Sequence, residues 1–259
     1  MLLEIDQQLG EDSASLIGFY ERAYSLEGPE ADRYAQWRAL SAVGKAEHVI
    51  ELCRRGGTAP GSTLDVGCGD GALLAELSRR GFGGRLGGME ISEPAAAIAR
   101  SGVGAAEIGL FDGATLPLGD RAYELGILSH VLEHVPEPAA LLAEVSRVCG
   151  SVCFEVPLEA NWSARRPSKR VHAEEIGHLQ RLGRSDARAI AAAAGLDVVA
   201  ELQDPLPPAV HRFFAASRAE RVAASGKWAV RAATDRLAPG LARRLFTVHY
   251  ACLCRPPAG

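Results

Sequence analysis

Thr63-Leu64-Asp65-Val66-Gly67-Cys68-Gly69-Asp70-Gly71 decides the fold. Four residues of strand-like character, with Leu64 and Val66 apolar, run into three alternating glycines. Ala72-Leu73-Leu74-Ala75 then opens a helix. Glycines permit a tight turn and let a ligand lie against bare backbone, and the helix N-terminus offers unpaired N–H groups. A strand that becomes a helix in this way is a nucleotide-binding turn. The glycine spacing by itself leaves the nucleotide open.

Outward from this turn the chain alternates. Strands are expected at 63–67, 85–91, 106–110, 124–129, 151–156, 196–202 and 246–254. Helices are expected at 70–80, closed by Gly81, from Ser92-Glu93-Pro94 onward with Ser92 as cap, at 138–149, and at 185–194, closed by Gly195. Repeated strand–helix–strand units imply a parallel sheet covered by helices on both faces, an α/β, Rossmann-like doubly wound fold. A polar loop follows the fifth strand. Residues 205–245 read as a helical insertion, broken at Pro207-Pro208, Gly226 and Pro239-Gly240. They are too few and too rich in alanine and arginine to bury a core of their own.

Before the turn, residues 12–25 read as a helix capped by Ser13, and Gly28-Pro29 ends it. A second helix is expected at 30–55, with Gly44 as a point of division and Gly56-Gly57 as its stop. Residues 1–60 are thus expected to form a helical lid over a domain of residues 61–259.

The bulk numbers narrow the class. A chain of 259 residues, 47% of them hydrophobic, suits one large or two small globular domains. A formal net charge of -4 gives no footprint for nucleic acid or an anionic membrane. No apolar run approaches the roughly 20 residues that span a bilayer, so a soluble, cytoplasmic protein is expected. The six cysteines form no C-x-x-C pair and read as buried hydrophobes in a reducing compartment. No metal ligands are expected.

Companion residues choose the nucleotide. Glu90 ends the second strand about 20 residues after the turn, where a carboxylate accepts both ribose hydroxyls; that feature suits NAD as well. Asp112 ends the third strand, placed to accept from an adenine amine, with Phe111 or Ile91 beside the ring. The fourth strand ends in Ser129-His130-Val131-Leu132-Glu133-His134-Val135-Pro136-Glu137-Pro138. Taken together, over residues 63–202, these motifs closely resemble the class I S-adenosylmethionine (SAM)-dependent methyltransferases, most of all their small-molecule branch with its ubiquinone-biosynthesis-type enzymes. The resemblance implies seven strands with the last antiparallel. It also implies that the glycine turn holds the methionine portion of SAM, Glu90 the ribose and Asp112 the adenine. The cofactor set is then Asp65, Gly67, Cys68, Gly69, Glu90, Ile91, Phe111, Asp112, Gly113 and Ser129, with S-adenosylhomocysteine as product.

Methyl transfer needs alignment of acceptor and methyl, and for a hydroxyl or amine acceptor a base. His130, just after the fourth strand, and His178, before the helix at 185–194, are the candidate bases. His134 reads as packing and His172 as loop. Glu155, unusual inside a strand, either has a buried partner or faces the site. Tyr20, Tyr24, Glu155 and Trp162 are candidate acceptor contacts, while Tyr34 and Trp37 divide between lid and core. The segment His211-Arg212-Phe213-Phe214 lines the far side of the pocket or forms a homodimer contact. The expected reaction is methylation of an O or N atom of a small, moderately apolar molecule such as a secondary metabolite or quinone-like ring. An NAD-dependent oxidoreductase, disfavoured by the glycine spacing and Asp112, and a non-catalytic SAM-binding partner subunit are the rivals.

Overall fold

A computed structural model describes Gly18, Tyr20, Glu21, Tyr24, Ser25, residues 28–104 and residues 106–257. Most of the helix expected at 12–25 lies outside the described residues. The sheet has seven strands: β1 Ser62–Val66, β2 Arg85–Glu90, β3 Glu107–Leu110, β4 Tyr123–Ser129, β5 Cys149–Pro157, β6 Asp197–Asp204 and β7 His249–Arg255. Their order is β3-β2-β1-β4-β5-β7-β6. β1 to β5 pair in parallel, and β7 lies antiparallel between β5 and β6, as the resemblance implies. The chain crosses to the other side of β1 when it forms β4, and that reversal opens a crevice at the carboxyl ends of the strands.

Side chains alternate along each strand and sort into two cores. Leu64, Val66, Leu128, Phe154, Tyr250 and Cys252 join Leu142 and Val145 of α4 (Pro138–Val148) and Ala187 and Ala191 of α6 (Arg184–Ala193) on one face. On the other, Leu125, Ile127, Cys153, Ala251 and Leu253 meet Ala46, Val49, Leu52 and Cys53 of α1 (Pro29–Arg55) and Leu73 and Leu77 of α2 (Ala72–Arg79). The second half of α1 is therefore core, and its first half overhangs the crevice. α3 (Glu93–Gly102) begins as expected, with Ser92 Oγ accepting from Ala95 N at 3.4 Å.

Three expectations need correcting: the division at Gly44, the break at Gly226 and the loop at His172. α1 runs unbroken through Gly44, which is buried against Pro207; tertiary contact outweighs the roughly 1 kcal/mol that glycine costs a helix. Gly226 likewise sits inside α8 (Arg218–Leu237), so the insertion forms α7 (Pro208–Arg212), α8 and α9 (Pro239–Leu245). The loop after β5 contains α5 (Pro167–Glu175), which places His172 in a helix; only Ala173 of that helix is buried, so it leaves little apolar periodicity. Phe214 packs on α1, its ring 5.7 Å from Tyr34 and 6.1 Å from Trp37, with Arg33 over its face.

Candidate active site

The turn after β1 has the shape its glycines allow. Gly67, Gly69 and Gly71 have φ of 75°, 56° and 79°. A Cβ on Gly67 would stand 2.6 Å from Val131 Cγ2, and one on Gly71 2.7 Å from Val103 Cγ2, so neither backbone nor neighbours admit a larger residue. Glu90 ties the turn to β2: its Oε2 accepts from Gly69 N at 2.8 Å, and its Oε1 from Ile91 N at 2.9 Å and Ser92 N at 3.1 Å. A carboxylate offers about four acceptor directions, so Glu90 has room for one further hydroxyl rather than two. Burial raises its pKa, against the pull of the three N–H groups.

A cavity of about 420 Å³ opens over this turn, within the range of small-ligand pockets. Every expected cofactor residue lines it: Asp65, Gly67, Cys68, Gly69, Glu90, Ile91, Phe111, Asp112, Gly113 and Ser129. Asp112 is also the turn former, its Oδ1 accepting from Ala114 N at 2.8 Å and Thr115 N at 2.6 Å. Tyr20, Tyr24, His130 and His178 line the same cavity, and so does His134. Glu155 lies against this wall, bound to its histidines. Trp162 does not reach it: the side chain is 61% exposed and lies under Arg166.

Two buried acids occupy the α1-covered face by strand alternation. Asp65 is 3% exposed, and burial pushes its pKa up to about 7 although Lys45 opposes the shift. Glu155 is 4% exposed and held well below the usual carboxylate range: burial opposes its charge, but His130, His249 and His48 outweigh it. His48 Nδ1 lies 3.0 Å from Glu155 Oε2 and its Nε2 2.7 Å from Asp204 Oδ2. Despite burial, these two carboxylates lift His48 to about 10.

His130 sits where β4 ends, with φ of 62°, a conformation rare for a residue with a side chain and costly to hold. Its N–H donates to Glu155 O at 2.9 Å. Its ring touches three groups: Nδ1 is 3.1 Å from Glu133 Oε1, and Nε2 is 3.0 Å from His249 Nδ1 and 3.4 Å from Glu155 Oε1. Burial and Lys45 disfavour its charge, but Glu133 and Glu155 prevail and raise its pKa. His249 moves the other way, lowered first by burial. His178 is tied through Nδ1 to Glu159 Oε2 at 2.8 Å, and its ring meets His134 edge-on at 4.8 Å. His134 Nδ1 donates to the Gly177 carbonyl at 3.0 Å, so Nδ1 carries its proton.

Sequence reasoning missed His249, Lys45, Arg38 and Ser41 as cavity residues. Trp37, Ser41, Lys45 and His48 recur at helical spacing on α1, a signal that was present. His249 had no local signal, because β7 reaches the site only through its pairing with β5. Arg38 closes the mouth: its Nε donates to Asp70 Oδ2 at 2.6 Å, and its guanidinium covers the Tyr24 ring at 4.8 Å.

A seven-stranded Rossmann-like sheet, a glycine turn after β1 and an acid ending β2 define the class I methyltransferase architecture. The chain belongs to the methyltransferase-domain family, whose model matches residues 34–201. It is 36% identical over 125 residues to an uncharacterized methyltransferase of Mycobacterium avium, covering 46% of this chain and 48% of that one. It is 30% identical over 117 residues to the ubiquinone biosynthesis O-methyltransferase of Acinetobacter baumannii, covering 43% and 48%. The matched stretch thus spans about half the length of these curated relatives. Among solved structures, a SAM-dependent methyltransferase from Thermotoga maritima superposes with a TM-score of 0.62 over 93% of this chain and 99% of that one, at 14% identity.

Proposed function

We propose that this protein binds SAM in the cavity over the Gly67–Gly71 turn and transfers its methyl group to an oxygen or nitrogen of a small molecule, releasing S-adenosylhomocysteine. The observation that carries the reading is the joint placement of the glycine turn, Asp65, Glu90 and Asp112 on one cavity wall. The residues present fit the cofactor. Ser129 Oγ and Ser41 Oγ are buried in the cavity lining with no hydrogen-bond partner among the described residues, and a Cβ on Gly69 would meet Tyr24 Oη at 2.5 Å. In this reading the methionine portion lies along the turn with its cationic groups toward Asp65. The ribose lies at Glu90, and the adenine beside Ile91, Phe111 and Asp112.

SAM supplies the electrophilic methyl, so the chain's own work is to align the acceptor, exclude water and receive a proton. The first half of α1, with Tyr20 and Tyr24, serves as the lid. The histidine wall of His130, His249 and His178 is where an acceptor's proton is taken. The relative named for ubiquinone biosynthesis favours a ring-bearing acceptor. Calorimetry with SAM, S-adenosylhomocysteine and NAD, followed by an acceptor screen with methyl-labelled SAM, tests this. SAM should bind and NAD should not. NAD binding without SAM would make the protein an oxidoreductase; SAM binding with no acceptor across a broad screen would favour a non-catalytic subunit. Glu90→Ala should weaken SAM by about 10- to 100-fold, the worth of a charged hydrogen bond. Unchanged affinity removes Glu90 from the ribose role.

A further inference from the structure

Three ligand atoms converge where His130 and His249 line the cavity. His130 Nε2 and His249 Nδ1 are 3.0 Å apart, His249 Nδ1 and Glu155 Oε1 are 3.0 Å apart, and His130 Nε2 and Glu155 Oε1 are 3.4 Å apart. Protons do not satisfy this triangle. An imidazole nitrogen offers one in-plane direction, either a proton or a lone pair. If His249 Nδ1 donates to Glu155, it faces His130 with nothing to accept. If it accepts from His130, its lone pair faces the carboxylate. A protonated Glu155 would leave two donors sharing one lone pair. One of the two 3.0 Å contacts is therefore unmet, or both share one hydrogen in a bent three-centre bond.

We propose that this triangle is a binding site for one divalent first-row transition metal ion, held facially by His130 Nε2, His249 Nδ1 and Glu155 Oε1, with its remaining positions open to the cavity. Ligands about 2.1 Å from a cation stand about 3.0 Å apart across an octahedral edge and about 3.4 Å across a tetrahedral one, which brackets all three distances. Two imidazoles and one carboxylate suit zinc, iron(II), cobalt or nickel rather than magnesium or calcium.

The surroundings are those of a metal site. The other nitrogen of His130 meets Glu133 Oε1 at 3.1 Å, the carboxylate–histidine–metal arrangement that directs the free lone pair of the ring inward. Glu133 is 1% exposed, and among the described residues its carboxylate has no hydrogen-bond partner besides this contact. The second oxygen of Glu155 is taken by His48, which is fixed in turn by Asp204. The left-handed backbone at His130 is held against its cost, and it presents the ring to this point. The two ion ligands that line the cavity come from β4's end and the first residue of β7.

The role of the ion rests on the methyl-transfer reading. A hydroxyl acceptor that coordinates the ion loses its proton more readily; with the ion bound, His130 and His249 serve as its ligands, and the proton passes to His178 or to solvent. The resulting oxygen anion attacks the sulfonium methyl: the O–C bond forms, the S–C bond breaks, and its electron pair stays on the sulfur of S-adenosylhomocysteine. The ion undergoes no redox change.

The test uses the full chain, stripped with a chelator, dialysed and titrated with cobalt(II). The expected result is one equivalent at this site, with visible d–d absorption, and loss of that equivalent in His249→Gln and in His130→Ala. Circular dichroism and SAM calorimetry confirm that each variant is folded. Because Glu155 is buried, the histidine variants carry the test. His178→Ala should keep the equivalent, since it alters a neighbouring cluster of Glu133, His134 and His178. No cobalt uptake by the folded protein, or full uptake by His249→Gln, overturns the proposal; so does uptake lost in His178→Ala but not in His249→Gln. Cobalt binding without SAM binding would keep the metal site and sink the methyltransferase reading, and the reverse would do the opposite.

Discussion

At the scale of single residues, Asp65 carries a clear pH signature. In the unfolded chain it ionises near 3.8, and burial moves it to about 7 in the folded protein. Between these values the folded state holds the extra proton, so this group's contribution to stability falls as pH rises from about 4 to about 7 and is level above. Asp65→Asn removes that dependence: relative to the parent, the variant should gain stability between pH 4.5 and pH 8 in urea titrations. A constant difference would mean that Asp65 is not buried as described. The cations of bound SAM favour the charged carboxylate. SAM binding at pH 6 should then release on the order of one proton, read by calorimetry in two buffers of different ionisation enthalpy. Glu90 and Asp65 were both legible in the sequence, because each stands at a fixed offset from a glycine turn whose geometry is local.

At the scale of elements, α1 has two jobs that its sequence shows only in part. Ala46, Val49, Leu52 and Cys53 bury it on the sheet, while Trp37, Arg38, Ser41 and Lys45 face the cavity. Arg38→Ala loses the ion pair to Asp70 and the contact over Tyr24, which should weaken SAM binding about 10-fold, mainly through faster release. Melting temperature should move little; an unchanged SAM off-rate would show that this latch does not guard the cofactor. In α8, Gly226 is exposed, with nothing within 4 Å of the position its Cβ would take. Gly226→Ala should therefore raise stability by about 0.5–1 kcal/mol, seen as a higher urea midpoint. A lower midpoint would contradict a continuous helix there. Glycine is a local signal for a break: at Gly44 the contact that overrides it, Pro207, is distant in sequence, and at Gly226 the flanking turns of α8 carry the helix through.

Across the whole molecule, the six cysteines are buried and unpaired, in agreement with their reading as small hydrophobes. A thiol-specific colorimetric reagent should titrate almost none of them in the native protein and all six after unfolding, and dithiothreitol should leave the melting temperature unchanged. Rapid native labelling would place at least one thiol on a mobile edge. Among the described residues no helix is long and apolar enough to cross a membrane. The insertion after β6, expected from sequence to line the pocket or form a dimer contact, packs Phe214 onto Tyr34 and Trp37, and so braces the half of α1 that overhangs the cavity.

Local information was enough for the parallel sheet, the Gly67–Gly71 turn and the carboxylates at the ends of β2 and β3. Apolar runs bounded by glycine, and residues at set distances along the chain, encode these directly. The histidine wall needed the tertiary structure. His130, Glu155 and His249 are spread over 120 residues and meet because β7 inserts antiparallel between β5 and β6, pairing His249 with Pro157 two residues from Glu155. Strand register is set by the packing of both sheet faces at once, and no short stretch of sequence contains that sum. The glycine-turn side of the cavity is therefore written locally in the chain, and the histidine side is written in its folding.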